Sequence, residues 1–256
     1  MTLFALTVAS LLGSLISLLG GILLLHKRVK REKIMLYAMP FGAGALLGAA
    51  FFDVLPEALH EVHELGGTEQ TILTWALIGF VLFFVMERTV RWFHRHHEHG
   101  EQRSHKTLIV LGDTIHNAID GVAIGAAFLV SIPTGIVTTL AVAAHELPQE
   151  IGDFGMLLGK GMLPRKVLVI NILSSLATLV TALLTFWLGA SLEALVPLLL
   201  AVVAGCFIYI AAADIIPDIH EQPHRQANLQ SMFLLIGIAT IPLVGLLLES
   251  GFGIGH

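Results

Sequence analysis

Residues 107–159 read TLIVLGDTIHNAIDGVAIGAAFLVSIPTGIVTTLAVAAHELPQEIGDFGMLLG, with no lysine or arginine among them. The stretch is apolar apart from two clusters, Asp113 to Asp120 and His145 to Asp153. A helix needs roughly 20 residues to cross a bilayer, and this stretch holds enough for two. Its middle carries Ser131-Ile132-Pro133-Thr134, a turn signal. The reading is therefore two antiparallel membrane helices, 107–130 and 135–159, each with a polar patch near its centre. In the first, Asp113, His116, Asn117 and Asp120 fall at i, i+3, i+4 and i+7, one face of a helix. In the second, His145 and Gln149, Glu146 and Glu150, and Gln149 and Asp153 are each four apart.

Working outward, the uncharged runs 2–25, 34–52, 71–86, 167–192, 194–213 and 229–248 supply six further spans. The expected fold is an all-α integral membrane domain of eight transmembrane helices covering residues 1–256. Composition agrees: 55% of the 256 residues are hydrophobic and 13% charged, against about 25% charged in soluble domains. The 14 lysines and arginines test the count. Lys27, Arg28, Lys30, Arg31 and Lys33 fall between spans 1 and 2. Arg88, Arg91, Arg95, Arg103 and Lys106 fall around the connection of spans 3 and 4. Lys160, Arg165 and Lys166 lie between spans 5 and 6, and Arg225 between spans 7 and 8. All sit on one side, which the positive-inside rule makes cytoplasmic, so both termini face the extracellular or periplasmic side. The other side carries Asp53, Glu57, His60, Glu61, His63, Glu64 and Glu69.

The first apolar run has its positive charges after it, the reverse of a signal peptide, and is read as a membrane helix. A net charge of −5 argues against a nucleic-acid partner. The single cysteine, Cys206, lies in an apolar run, which excludes a disulfide framework and a thiolate cluster. The longest polar insert, 92–106, is a cytoplasmic loop rich in histidine: His94, His96, His97, His99 and His105.

Depth brings the two polar patches together. At about 1.5 Å per residue, His116 lies about 14 Å from the cytoplasmic face and His145 about 15 Å from the other. In a hydrocarbon core of about 30 Å both sit at the midplane. An ionised side chain there costs about 2.5–3.5 kcal/mol on the insertion scale. Asp113, Asp120, Glu146, Glu150 and Asp153 have no lysine or arginine among them, so they need protons or cations. Two imidazoles, two amides and several carboxylates suit Zn2+, Fe2+, Mn2+ or Cd2+, while the lack of thiolate argues against Cu(I). There are more candidate ligands than one four-coordinate ion uses, which fits two adjacent ions sharing Asp120. Asp113 and Asp153 are either supporting groups or members of an exit path. Pro148 lies inside the fifth helix and is expected to bend it.

His116-Asn117-x-x-Asp120-Gly121 followed by His145-Glu146-x-Pro148-x-Glu150-x-Gly152-Asp153 resembles the paired signature of the ZIP family of zinc and iron transporters. The branch it is most similar to reads His-Glu-x-Pro-His-Glu-x-Gly-Asp in the fifth helix. The chain departs from that branch at Gln149, where an amide, a weaker ligand than imidazole, stands in place of the second histidine. It also lacks the branch's large extracellular domain and cysteine-proline motif. The resemblance implies a binuclear site: His116, Asp120, His145 and Gln149 for one metal, and Asn117, Asp120 and Glu146 for the other, with Gln149 or Glu150 nearby. It further implies Met39 near the first metal, Asn171 or Ser174 near the second, import toward the cytosol, and a homodimer in the plasma (inner) membrane.

Asp53 and Glu249 end the second and eighth spans on the outer side and are expected to capture metal. Asp214, Asp218, His220 and Glu221 are candidates for the exit, and the histidine-rich loop for collecting or sensing metal. Two rival classes predict different chemistry. An intramembrane metallohydrolase would use His-Glu-x-x-His, but here the motif ends in Gln149. A metal sensor would bind without transport.

Overall fold

The structure is a computed structural model and describes residues 2–24, 31–96, 102–159, 161–189, 193–217 and 224–252. Every regular element among them is helical. In chain order the α-helices are α1 (Thr2–Leu24), α2 (Arg31–Ala49), α3 (Leu55–Glu64), α4 (Glu69–His96), α5 (Gln102–Val130), α6 (Ile132–Gly159), α7 (Pro164–Gly189), α8 (Val196–Ile210) and α9 (His224–Phe252). Six helical stretches are long and apolar enough to cross a membrane: α1, α2 joined to α3, α4, α7, α8 and α9. Helices α5 and α6 are as long, at 29 and 28 residues, but carry the two polar clusters.

Side-chain placement inverts the soluble pattern. Phe4, Leu77 and Trp187 are 76%, 63% and 73% exposed, whereas Asp120, Glu146 and Glu150 are 1%, 3% and 0% exposed. Apolar surface on this scale is stable against lipid and not against water. The polar groups are inside because in hydrocarbon they must find each other.

The packing falls into two groups. Helices α1, α5, α6 and α7 all touch one another, and α2, α3, α4 and α8 pack together with α9 laid along α2. The groups meet chiefly where α2 crosses α6. The central helix is α8, with 67% of its span buried, against 17% for α4 and for α9. At the α2–α6 crossing a Cβ on Gly42 would lie 2.7 Å from the Ala144 carbonyl oxygen and 2.9 Å from His145 Cα. Glycine thus lets α2 lie directly against the backbone that carries the second polar cluster.

Two elements depart from what the sequence suggested. The second span does not stop at Phe52 but continues through a π-helical turn, Ala50–Val54, into α3, so Glu57, His60 and Glu61 are helical. Pro56 lies in the first turn of α3, directly after the π-turn. A second π-turn, Ala211–Ile215, follows α8 and includes Asp214. Helix α6 runs through Pro148 without interruption.

Candidate metal centre

Helices α5 and α6 are joined at Ser131, whose hydroxyl pairs with Thr134 Oγ1 at 2.8 Å and accepts the Thr134 N–H at 3.1 Å. This tight cap sends the chain straight back. His116 lies fourteen residues before the end of α5 and His145 thirteen after the start of α6. Both are therefore about 20 Å from the turn along their helices, and they meet.

Their Nε2 atoms are 3.2 Å apart. Asp120 Oδ2 lies 3.3 Å from His145 Nε2 and 3.8 Å from His116 Nε2. Glu146 Oε1 lies 3.6 Å from His116 Nε2 and 3.9 Å from His145 Nε2. One ligand atom from each of these four residues falls within 4.8 Å of all the others. Two nitrogens and two carboxylate oxygens converging on a point make a donor set suited to a tetrahedral divalent ion.

Second contacts orient the ligands. His145 Nδ1 donates to the Ala141 carbonyl at 3.2 Å, since a carbonyl can only accept, and this leaves the Nε2 lone pair for a metal. Phe83 of α4 meets the His116 ring edge-on, centroids 5.5 Å apart and planes at 89°. Phe207 of α8 approaches His145 at 6.3 Å. The aromatic contacts form an apolar wall on one side of the imidazoles. Among the described residues, no hydrogen-bond partner reaches Asp120 Oδ2 or either carboxylate oxygen of Glu146. Buried oxygens left this way are costly unless a cation or a proton joins them.

The other residues singled out above take several positions. Asn117 does not point at the four-residue group. Its Nδ2 donates to Asp113 Oδ1 at 2.9 Å and to the Asp113 carbonyl at 3.1 Å, and its Oδ1 accepts from Thr178 Oγ1 at 2.9 Å. Gln149 and Ser174 also reach the Asp113 carboxyl, and Ser174 pairs with Thr114 at 3.1 Å. Glu150 is fully buried, with Asp113 and Asp153 close enough to act on it electrostatically. Asn171 is buried and donates to the Val167 carbonyl of its own helix at 2.9 Å. Met39 packs half-buried against the apolar core. Asp53, on the π-turn, accepts a long hydrogen bond of 3.4 Å from Thr138 of α6. The side chains of Glu249, Asp214 and the histidines of 92–106 lie outside what the structure describes, as do Asp218, His220 and Glu221.

Sequence reasoning did not single out Thr178, Thr138, Phe83 or Phe207. Threonine in a membrane helix commonly bonds its own backbone, and phenylalanine is common there, so neither type carries a signal at this position. A small cavity of about 10 Å³ between α1, α5, α6 and α7 has a mostly apolar lining that includes Ile124 and Val142, with Ser10, Asn117, Glu146 and Thr178 also on its wall.

A polytopic helical membrane protein with a buried nitrogen–oxygen group able to hold a metal ion between two helices is the class that fold and site define. A family model described as ZIP zinc transporter matches residues 2–108 and 96–245. The chain belongs to the ZIP family. Zinc transporter ZIP13 of Pongo abelii is 30% identical over 263 residues, spanning 94% of this chain and 79% of that protein. Zinc transporter ZIP10 of Mus musculus is 37% identical over 149 residues, 54% of this chain and 18% of ZIP10. Human zinc transporter ZIP4 is 44% identical over 110 residues, 43% of this chain and 17% of ZIP4. The match thus spans only about a fifth of the ZIP10 and ZIP4 proteins. These relatives are named as zinc transporters.

Proposed function

We propose that this protein carries divalent transition-metal ions, Zn2+ foremost, across the plasma (inner) membrane into the cytosol. The observation that carries the reading is the group His116, Asp120, His145 and Glu146, packed between α5 and α6, in which Asp120 Oδ2 and both Glu146 carboxylate oxygens are buried without a hydrogen bond among the described residues. Zinc is the cargo. The two imidazoles and the two carboxylates would hold one ion. Asn117 and Asp120 with Glu146 would serve the second ion of a binuclear site, after Asn117 turns from Asp113. Helices α5 and α6 are the fourth and fifth of eight spans in this reading, with both termini outside and the chain working as a homodimer.

Metal would arrive past Asp53 and Glu249 and leave toward the histidine-rich loop. Ligands must shed protons to bind, so uptake of metal is coupled to proton release. The division into two helix groups gives alternating access a physical basis: the groups meet chiefly at the α2–α6 crossing, which is where the metal group lies.

A flux series in liposomes tests this. Purified protein should admit Zn2+, and Cd2+, Mn2+ and Fe2+ to different extents, into vesicles holding a metal-sensitive dye. Rates no higher than in protein-free vesicles would remove the transport reading. In the same series Gln149→His should tighten zinc binding by about tenfold, or about 1.4 kcal/mol, because imidazole replaces an amide beside the site. Unchanged zinc affinity would show that position 149 does not face the metal.

A further inference from the structure

Both imidazoles of the four-residue group rest on phenylalanines of one helix pair. Phe83 of α4 stands at 89° to the His116 ring with centroids 5.5 Å apart, and Phe207 of α8 lies 6.3 Å from the His145 ring. The two histidines differ in what else holds them. His145 Nδ1 donates to the Ala141 carbonyl, so its own helix fixes the ring. The hydrogen bond found for His116 among the described residues is at Nε2, the atom that faces the group. The direction of the His116 ring therefore rests on packing, against the His145 ring on one side and Phe83 on the other.

Phe83 is held in turn. Glu87 follows it by four residues, on the same face of α4. Tyr209 of α8 donates its hydroxyl to Glu87 Oε2 at 2.6 Å, toward the short end of the range for such bonds. The phenol ring lies 5.6 Å from Phe83, 6.2 Å from Phe84 and 5.1 Å from Phe80, the last at 80°. The backbones below it are in contact. A Cβ on Gly79 would collide with Val202, and one on Gly205 with the Ala76 carbonyl. Cys206 Sγ lies 3.5 Å from the Gly79 carbonyl oxygen. Helices α4 and α8 are thus joined from Gly79 to Glu87, and the Tyr209–Glu87 bond gives the phenol ring a fixed direction that apolar packing alone does not supply.

We propose that Tyr209, fastened by Glu87, is a positioning residue for the metal group: it holds Phe83 in place, and Phe83 sets the direction of the His116 imidazole. This rests on the reading that the group binds divalent ions. Aromatic rings pair at preferred angles because their faces are negative and their edges positive. A shift of Phe83 therefore turns the imidazole that meets it. The Nε2 lone pair of His116 then points away from the centre that it shares with Asp120, His145 and Glu146.

The test uses full-length protein in detergent. Zinc affinity is measured by dye competition, and the visible absorption of bound Co2+ reports ligand geometry in a site suited to tetrahedral ions. Tyr209→Phe removes one oxygen and keeps the ring. Phe83→Leu keeps an apolar side chain and removes the ring. Glu87→Gln keeps an oxygen that can accept from the phenol. Groups that orient a metal ligand are worth about 10–100-fold in affinity, so Phe83→Leu should weaken zinc binding by about tenfold. Tyr209→Phe acts one contact further away and should weaken it by about threefold to fivefold, with Glu87→Gln within about twofold of wild type. The Co2+ spectrum should change in Phe83→Leu and, less, in Tyr209→Phe.

Wild-type zinc affinity and an unchanged Co2+ spectrum in Tyr209→Phe would overturn the proposal. So would a Tyr209→Phe effect with none from Phe83→Leu, since the route runs through Phe83. A purely structural role would lower the fraction of protein able to bind and leave the affinity and spectrum of that fraction as in the wild type, which also overturns it. Tyr209→Phe keeps the test open should Phe83→Leu fail to fold. Wild-type protein that binds neither Zn2+ nor Co2+ would refute the metal group itself, and the proposal with it.

Discussion

Replacing Asp120 by asparagine lowers the zinc affinity of the purified protein by about 100-fold or more. Asp120 is the hub of the group. Its Oδ2 lies within 4 Å of both imidazole Nε2 atoms, and its carboxyl is within reach of Glu146. Asparagine has nearly the same shape, so packing is retained and the change isolates the charge. What is lost is one anionic ligand to a divalent ion at a place where water does not compensate. Removing a partner of a metal ligand already costs 10–100-fold in other metal sites, and removing the ligand itself costs more. In the binuclear reading Asp120 also bridges the two ions, so the loss reaches both. Competition against a zinc-binding dye in detergent measures the effect. An affinity within threefold of wild type would show that Asp120 is not a ligand.

Gly121→Val unfolds the protein at a markedly lower temperature, at a cost of about 3 kcal/mol or more. Gly121 lies on α5 where α7 passes. A Cβ there would collide with the Thr178 carbonyl and with Thr181 Oγ1. The same crossing holds two hydrogen bonds between the helices. Thr178 Oγ1 donates to Asn117 Oδ1 at 2.9 Å and Thr181 Oγ1 to the Ala118 carbonyl at 2.8 Å. Valine forces α7 outward. The overpacking costs about 1–3 kcal/mol and each broken bond about 1 kcal/mol more. The consequence reaches the site, because Asn117 released from Thr178 no longer steers Asp113. Gly121→Ala should show a smaller shift of the same sign. A thermal midpoint unchanged in Gly121→Val would mean that the helices do not cross as closely as the structure has them.

The convergence of His116, Asp120, His145 and Glu146 was legible in the sequence because three constraints agree on it. Helical spacing puts His116 and Asp120 on one face of their helix, the turn at Ser131 makes the two helices antiparallel, and the distance from that turn matches for both histidines. Membrane depth then forbids leaving the carboxylates bare. What the sequence could not reveal is the direction a side chain takes when two directions satisfy it. Asn117 sits on the ligand face, yet its amide is spent on Asp113 and Thr178. Asn171 is likewise bonded to its own helix. The continuation of the second span past Phe52 was hidden for another reason. Asp53 marks where the apolar run ends, but a helix has no need to stop where its apolar run does, and the π-turn carries it on to Glu64. The close approach of α2 to α6 at Gly42 depends on which helices are neighbours, and spacing within one helix does not contain that.

The most direct test is zinc flux into dye-loaded liposomes containing wild-type protein, His145→Ala or Glu146→Ala at equal reconstitution, with each variant shown to be monodisperse and helical. The wild type should carry zinc, and both variants should fall to near the rate of protein-free vesicles. Wild-type flux from either variant would contradict the claim that the ion passes through the group between α5 and α6.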